Sequence, residues 1–139
     1  MAFERGSGGL IDIYLPWEGF NCVSKIKCRD VYFPMEVDLD IRQETFEMLR
    51  DVLDMTHYYN IIKRFAYRCF HCRNVLMVLG PDLESPSEFL ICWSPWNKSK
   101  SGVKGGTNTA YQIAVANNIP VYNFFDEGSV DRLFREQLE

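Results

Sequence analysis

Residues 104 to 123 read KGGTNTAYQIAVANNIPVYN, a glycine turn that runs into a helical pattern and then into a strand pattern. Gly105 and Gly106 let backbone approach a ligand closely, and the residues after them open an amphipathic helix whose free N–H groups and positive dipole end attract anions. Thr107 and Thr109 add hydroxyl donors, while Ile113, Val115 and Ala116 supply the apolar body of the helix. Ile119-Pro120 ends it, and Val121-Tyr122-Asn123-Phe124 starts a strand. Loop, helix and strand in this order are half of an α/β layout, in which ligands sit beyond the carboxyl ends of strands. A glycine-rich turn that merely joins two elements carries the same signature.

The rest of the chain extends the alternation. Ala2-Phe3-Glu4-Arg5 reads as a helix end stopped by Gly6-Ser7-Gly8-Gly9, and Leu10 to Leu15 as a strand followed by a turn-rich loop from Pro16 to Asn21. Residues 22–38 show no steady period beyond one short extended piece at Val31–Phe33. From about Gln43 the spacing turns helical through Phe46, Leu49, Val52 and Leu53. A second helical pattern carries Ile61, Ile62, Phe65, Ala66, Cys69 and Phe70 toward Val75 and Leu79, closed by Gly80-Pro81. Phe89 to Trp93 is an unbroken apolar run of the form taken by a strand buried on both faces. Val130, Leu133, Phe134 and Leu138 make a final amphipathic helix. Strands interleaved with helices predict an α/β fold, an open and mostly parallel sheet with flanking helices in a single domain over residues 1–139.

Composition narrows the function. At 47% hydrophobic and 14% aromatic, the 139 residues are rich enough to form a core and leave aromatic surface for a ligand or a second subunit. The net charge of −4 repels an extended phosphate backbone but leaves room for a small anion in a local basic pocket. Five cysteines, an odd number, fit a reducing cytoplasmic compartment rather than a disulfide framework, and no apolar run is long enough to span a bilayer.

Four blocks carry a family resemblance: Phe3-Glu4-Arg5-Gly6 with Ile13 to Asn21; Arg73-Asn74-Val75; Val78 to Leu83 with Ser85-Pro86-Ser87; and the glycine turn through Asn123. In this order and spacing the chain resembles the SLOG-like nucleotide-binding superfamily of the Lonely Guy phosphoribohydrolases and DNA-processing protein A, and within it small proteins of tailed phages. The resemblance implies a Rossmann-like fold that holds the phosphate and ribose of a nucleotide between the glycine loop, an arginine-bearing helix and an N-terminal βα segment. That segment is expected to be missing here, which makes the fold N-terminally shortened. Loss of an interior strand exposes a sheet edge and invites a second copy, so a homo-oligomer is expected.

The family's G-G-x-G-T-x-x-E loop falls on Gly105, Gly106, Thr107, Asn108, Thr109 and Gln112, so an amide occupies the place of the acid. Gln112 cannot ionise and cannot serve as a general base, although it can hydrogen-bond a ribose hydroxyl or a base. The expectation is a phage-encoded protein that binds a nucleotide or nucleotide-derived signal without hydrolysis, with no catalytic residue, cofactor or metal. A phosphoribohydrolase using Asp82 or Glu88 as the acid, and an interaction module with a vestigial pocket, are the alternatives.

The remaining ligand candidates are Arg73 and Asn74 on the second helical pattern, Lys104 beside the glycines, and Trp17 as a base platform in the loop after the first strand. Trp93 and Trp96 also flank the loop that holds Lys98, Lys100 and Lys104, with core packing expected of Trp93. Cys69-x-x-Cys72 has a metal-like spacing, but no second pair follows and Cys69 falls on an apolar helix face, which favours buried thiols.

Overall fold

The computed structural model describes residues 12–20 and 30–138. Along the chain come β1 (Asp12–Tyr14), β2 (Asp30–Tyr32), a 3-10 turn (Pro34–Glu36), α1 (Leu39–Val52), α2 (Met55–Ile62), α3 (Phe65–Leu79) and β3 (Leu90–Cys92). They are followed by α4 (Thr107–Ala116), β4 (Val121–Asn123) and α5 (Ser129–Leu133), which runs on as a π-helical turn (Phe134–Leu138). β1 pairs with β2 and β3 with β4, both in parallel register. The fold is therefore mixed α/β, and the four strands form two two-stranded sheets among the described residues. Of the sequence expectations, the helix end at Ala2–Arg5, the strand start at Leu10-Ile11, and Cys22 and Cys28 lie outside the described residues.

The core joins α1, α3 and α4: Leu49, Val75, Val78, Leu79, Ala110, Ile113 and Ala114 pack together with Ile119. In α4 the inward face is Ala110, Ile113 and Ala114, spaced three and four apart. Val115, expected in that apolar body, lies about 100° round the helix from its neighbour and is exposed.

Three further expectations are corrected. The helical spacing from Ile61 to Leu79 is two helices, because Arg64 takes an extended backbone (φ −123, ψ 126) and the Arg68 guanidinium reaches back to donate to the Ile62 carbonyl at the end of α2. α2 has its own start, where the Asp54 carboxylate accepts from the His57 amide at 2.9 Å. β3 is not buried on both faces: Ile91 is 44% and Trp93 66% exposed. β3 has β4 on one edge and no strand on the other among the described residues. The final helix buries Ser129 and Leu133 while Val130, Phe134 and Leu138 stay exposed. It is anchored by the buried Tyr122, whose hydroxyl donates to Glu136 at 2.6 Å and whose ring stacks under Arg132 at 4.5 Å. Among the described residues no helix is long and apolar enough to cross a membrane.

Candidate functional site

His71 and Asn74 are three residues apart on α3, so both face α4. The Asn74 amide donates to the Gly106 carbonyl at 3.1 Å, and His71 Nδ1 lies 2.6 Å from the Thr109 hydroxyl. These two bonds fix the glycine turn and the first turn of α4 against α3. Gly105 takes a positive φ of 74°, a conformation open to glycine, and Gly106 then turns into helical geometry as the cap of α4. Among the described residues no protein acceptor is paired with the amides of Gly105, Gly106 or Thr107. They are the unbonded donors that a helix start leaves over.

Arg73 completes this arrangement. Its Nε donates to Asn74 Oδ1 at 3.0 Å and its guanidinium lies 5.7 Å from the Phe70 ring centre. Burial pushes its pKa down from the ordinary arginine value. No carboxylate pairs with it among the described residues. A half-buried guanidinium without a counter-charge is costly to the fold alone and stabilises an anion brought to it.

Two clefts flank the glycine turn. The first, about 670 Å³, is lined by Lys104, Gly105, Gly106, Asn108, Thr109 and Gln112 together with His57 and Asn60 of α2. The second, about 680 Å³, holds Arg73, Asn74, Gly106 and Thr107 beside Tyr67, Phe70 and Trp93. Tyr67, His71 and Gly106 line both. The expected ligand residues are thus divided by the turn itself. No Asp or Glu lines the second cleft, whereas the first includes Asp54, which sits 3.1 Å from His57 Nδ1.

Several of the expected ligand groups are occupied by structural bonds. Gln112 Nε2 donates to the Ser101 carbonyl at 2.9 Å and to Asn108 Oδ1 at 3.2 Å, and the same Oδ1 accepts from the Val103 amide at 3.1 Å. Asn108 and Gln112 therefore clamp the 97–104 loop onto α4. Gly102 is the point of closest approach, where a Cβ would overlap both side chains. A glutamate at 112 has no proton to give the Ser101 carbonyl. Gln112→Glu is accordingly expected to lower stability by about 0.5–1.5 kcal/mol at neutral pH, read from a urea unfolding curve. Protonation restores a donor, so the loss should shrink as the solution is acidified. The Thr109 hydroxyl, expected as a ligand donor, is 2% exposed and committed to His71.

Lys104 is exposed at the mouth of the first cleft, while Lys98 and Lys100 line neither cleft. Trp17 packs edge-on against Phe20 and Phe70 at 5.4 and 5.2 Å and lines neither cleft, so it supports the Phe70 wall instead of offering a platform. Trp93, expected in the core, is with Tyr67 an exposed aromatic of the second cleft and leans on Phe125 at 5.6 Å. Trp96 is held by Asp126 at 2.7 Å and packs on Tyr111. Cys69 and Cys72 are buried, and burial pushes both thiols above the ordinary cysteine pKa. Among the described residues no group of three or more His, Cys, Asp or Glu could hold a metal ion.

His71, Tyr67 and Phe70 were not singled out as site residues from the sequence. The signal for His71 was present in its three-residue spacing from Asn74, whereas Phe70 read only as part of an apolar helix face and nothing in the helical pattern marked Tyr67. No protein-family model matches the chain, and no curated protein or solved structure matches it at a significant level.

Proposed function

We propose that this chain binds a nucleotide or nucleotide-derived signal without hydrolysing it, with the phosphate at Gly106, Thr107 and Arg73 and the base against Trp93 or Tyr67. The observation that carries this reading is Arg73, a half-buried guanidinium with no carboxylate partner among the described residues, in the same acid-free cleft as the unbonded amides of α4. Helix-start amides and a planar guanidinium are complementary to phosphate oxygens, and stacking on an exposed aromatic adds roughly 1–3 kcal/mol per base. Gly106 gives further support. Its backbone is ordinary helix (φ −64) and a Cβ there would meet nothing within 4 Å, so the protein's own packing does not call for glycine. Close approach of a ligand does.

Non-hydrolytic binding is supported by Gln112, whose amide is spent on the loop, and by the placement of the alternative acids. Neither Asp82 nor Glu88 lines either cleft, and Asp82 is engaged by the Glu84 amide at 2.9 Å. In this reading the domain is SLOG-like and cytoplasmic, phage-encoded, and able to sequester a host defence messenger. Its two parallel sheets are halves of one open Rossmann-like sheet. Leu90 and Cys92 bond to the β4 side at 2.8 Å each, so the N–H and C=O of Ile91 lie on the other edge of β3, where a second copy of the chain supplies a strand.

Calorimetry with nucleoside monophosphates, cyclic nucleotides and ADP-ribose is the test of binding, run beside an assay for released base and ribose phosphate. Saturable heat without products is the expected result; products would establish the phosphoribohydrolase alternative, and no heat with folded protein would reject both. Gly106→Asp should fold normally, since open space surrounds the position, yet bind no anion because a carboxylate fills the place of the phosphate.

A further inference from the structure

A third cleft, about 640 Å³, lies away from the glycine turn, between α1, α2, α3 and the Pro34–Glu36 turn. Its apolar lining includes Leu39, Phe46 and Phe65, and Leu39 and Phe65 are 69% and 53% exposed. Large apolar side chains left this open in one concave place mark a binding surface. Three arginines line the same cleft: Arg42, Arg50 and Arg68. Glu47 is the one carboxylate among the lining residues, and it accepts from Gln43 at 3.4 Å.

Arg42 is the decisive group. Its Nε is buried and has no hydrogen-bond partner among the described residues, and its Nη1 is directed to the Met35 sulfur at 3.4 Å, a weak acceptor. Arg68 bonds the Ile62 carbonyl and stacks 5.8 Å from the Phe65 ring, while Arg50 reaches Asp51 at 4.0 Å on the exposed surface. Buried donors in folded proteins are almost always paired, and a guanidinium pairs best with a two-oxygen anion. We propose that this cleft is a second binding site, for a small organic anion with an apolar body, such as a medium-chain carboxylate whose head meets Arg42 and whose chain lies along Leu39, Phe46 and Phe65. This inference is independent of the nucleotide reading.

The test uses octanoate, octanol and acetate as probes, titrated against the full chain and followed by chemical-shift changes. Octanoate should bind about tenfold or more tightly than either octanol, which lacks the charge, or acetate, which lacks the chain. Arg42→Met should reduce octanoate to the level of octanol. Leu39→Glu, at an exposed position, should weaken octanoate more than octanol, because it adds a like charge as well as removing part of the apolar wall that both chains use, and Arg73→Met should leave both unchanged. Equal binding of octanoate and octanol, or an octanoate affinity unmoved by both cleft variants, would overturn the proposal.

Discussion

Arg73→Met is expected to weaken phosphate-bearing ligands by roughly 10- to 150-fold, the equivalent of about 1.5–3 kcal/mol for charge-assisted hydrogen bonds. The fold should barely notice the change. The guanidinium carries a desolvation cost with no carboxylate to offset it among the described residues, and its one hydrogen bond is to Asn74, which keeps its own bond to Gly106. Stability is therefore expected to stay within about 1 kcal/mol, or to rise slightly, as when buried charges give way to apolar groups. A structural role for Arg73 predicts the opposite pair of results, a lower melting temperature and unchanged ligand affinity. Calorimetric binding and thermal unfolding on the same preparation distinguish the two. Wild-type affinity should also fall with added salt more steeply than that of the variant, because one cation fewer faces the phosphate.

The second large effect concerns acid. Burial, with smaller contributions from the charges of His57 and Arg73, pushes the pKa of His71 down from 6.5 to about 4. The neutral ring is thus the form the fold accepts, facing the Thr109 hydroxyl. An unfolded chain binds its proton first, so the stabilisation is fully present above 6.5 and is lost as the pH falls from 6.5 toward about 4. Below that window both states are protonated and this group adds no further pH dependence. Because the imidazole is only partly buried, solvent screening leaves a contribution of about 1–2 kcal/mol. Urea unfolding across this range should show that decline in the wild type and a flatter profile in His71→Asn. A wild-type profile that is flat over the same window would remove His71 as the cause. Since His71 holds α4 to α3, ligand binding should weaken in the same range.

Helix α4 and strand β4 were legible in the sequence because a glycine turn, a 3.6-residue apolar period and a proline follow one another without ambiguity. The break between α2 and α3 was not. Ile61 and Phe65 keep helical spacing across it, and the features that cause it, an extended Arg64 and the reach of Arg68 to Ile62, are tertiary. β3 read as a strand from its composition, but an apolar run does not reveal how many neighbours the strand has, and Trp93 was assigned to the core for that reason. In the proposed site, Gly105, Gly106, Thr107 and Arg73 are expected from chemistry that their residue types suit. Asn108 and Gln112 suited a ligand equally well by type. Only the fold of the 97–104 loop, brought back over α4 at Gly102, uses up the Gln112 amide and the Asn108 oxygen.

Site-resolved nuclear magnetic resonance of the labelled protein during titration with AMP tests the proposed anion site most directly. The backbone amides of Gly106 and Thr107 and the Nε of Arg73 should shift together along one saturable curve, while the signals of Gly102 in the clamped loop and of the Gln112 side chain that holds it move little. Saturable shifts confined to other parts of the chain, or none at all in a folded sample, would contradict the account.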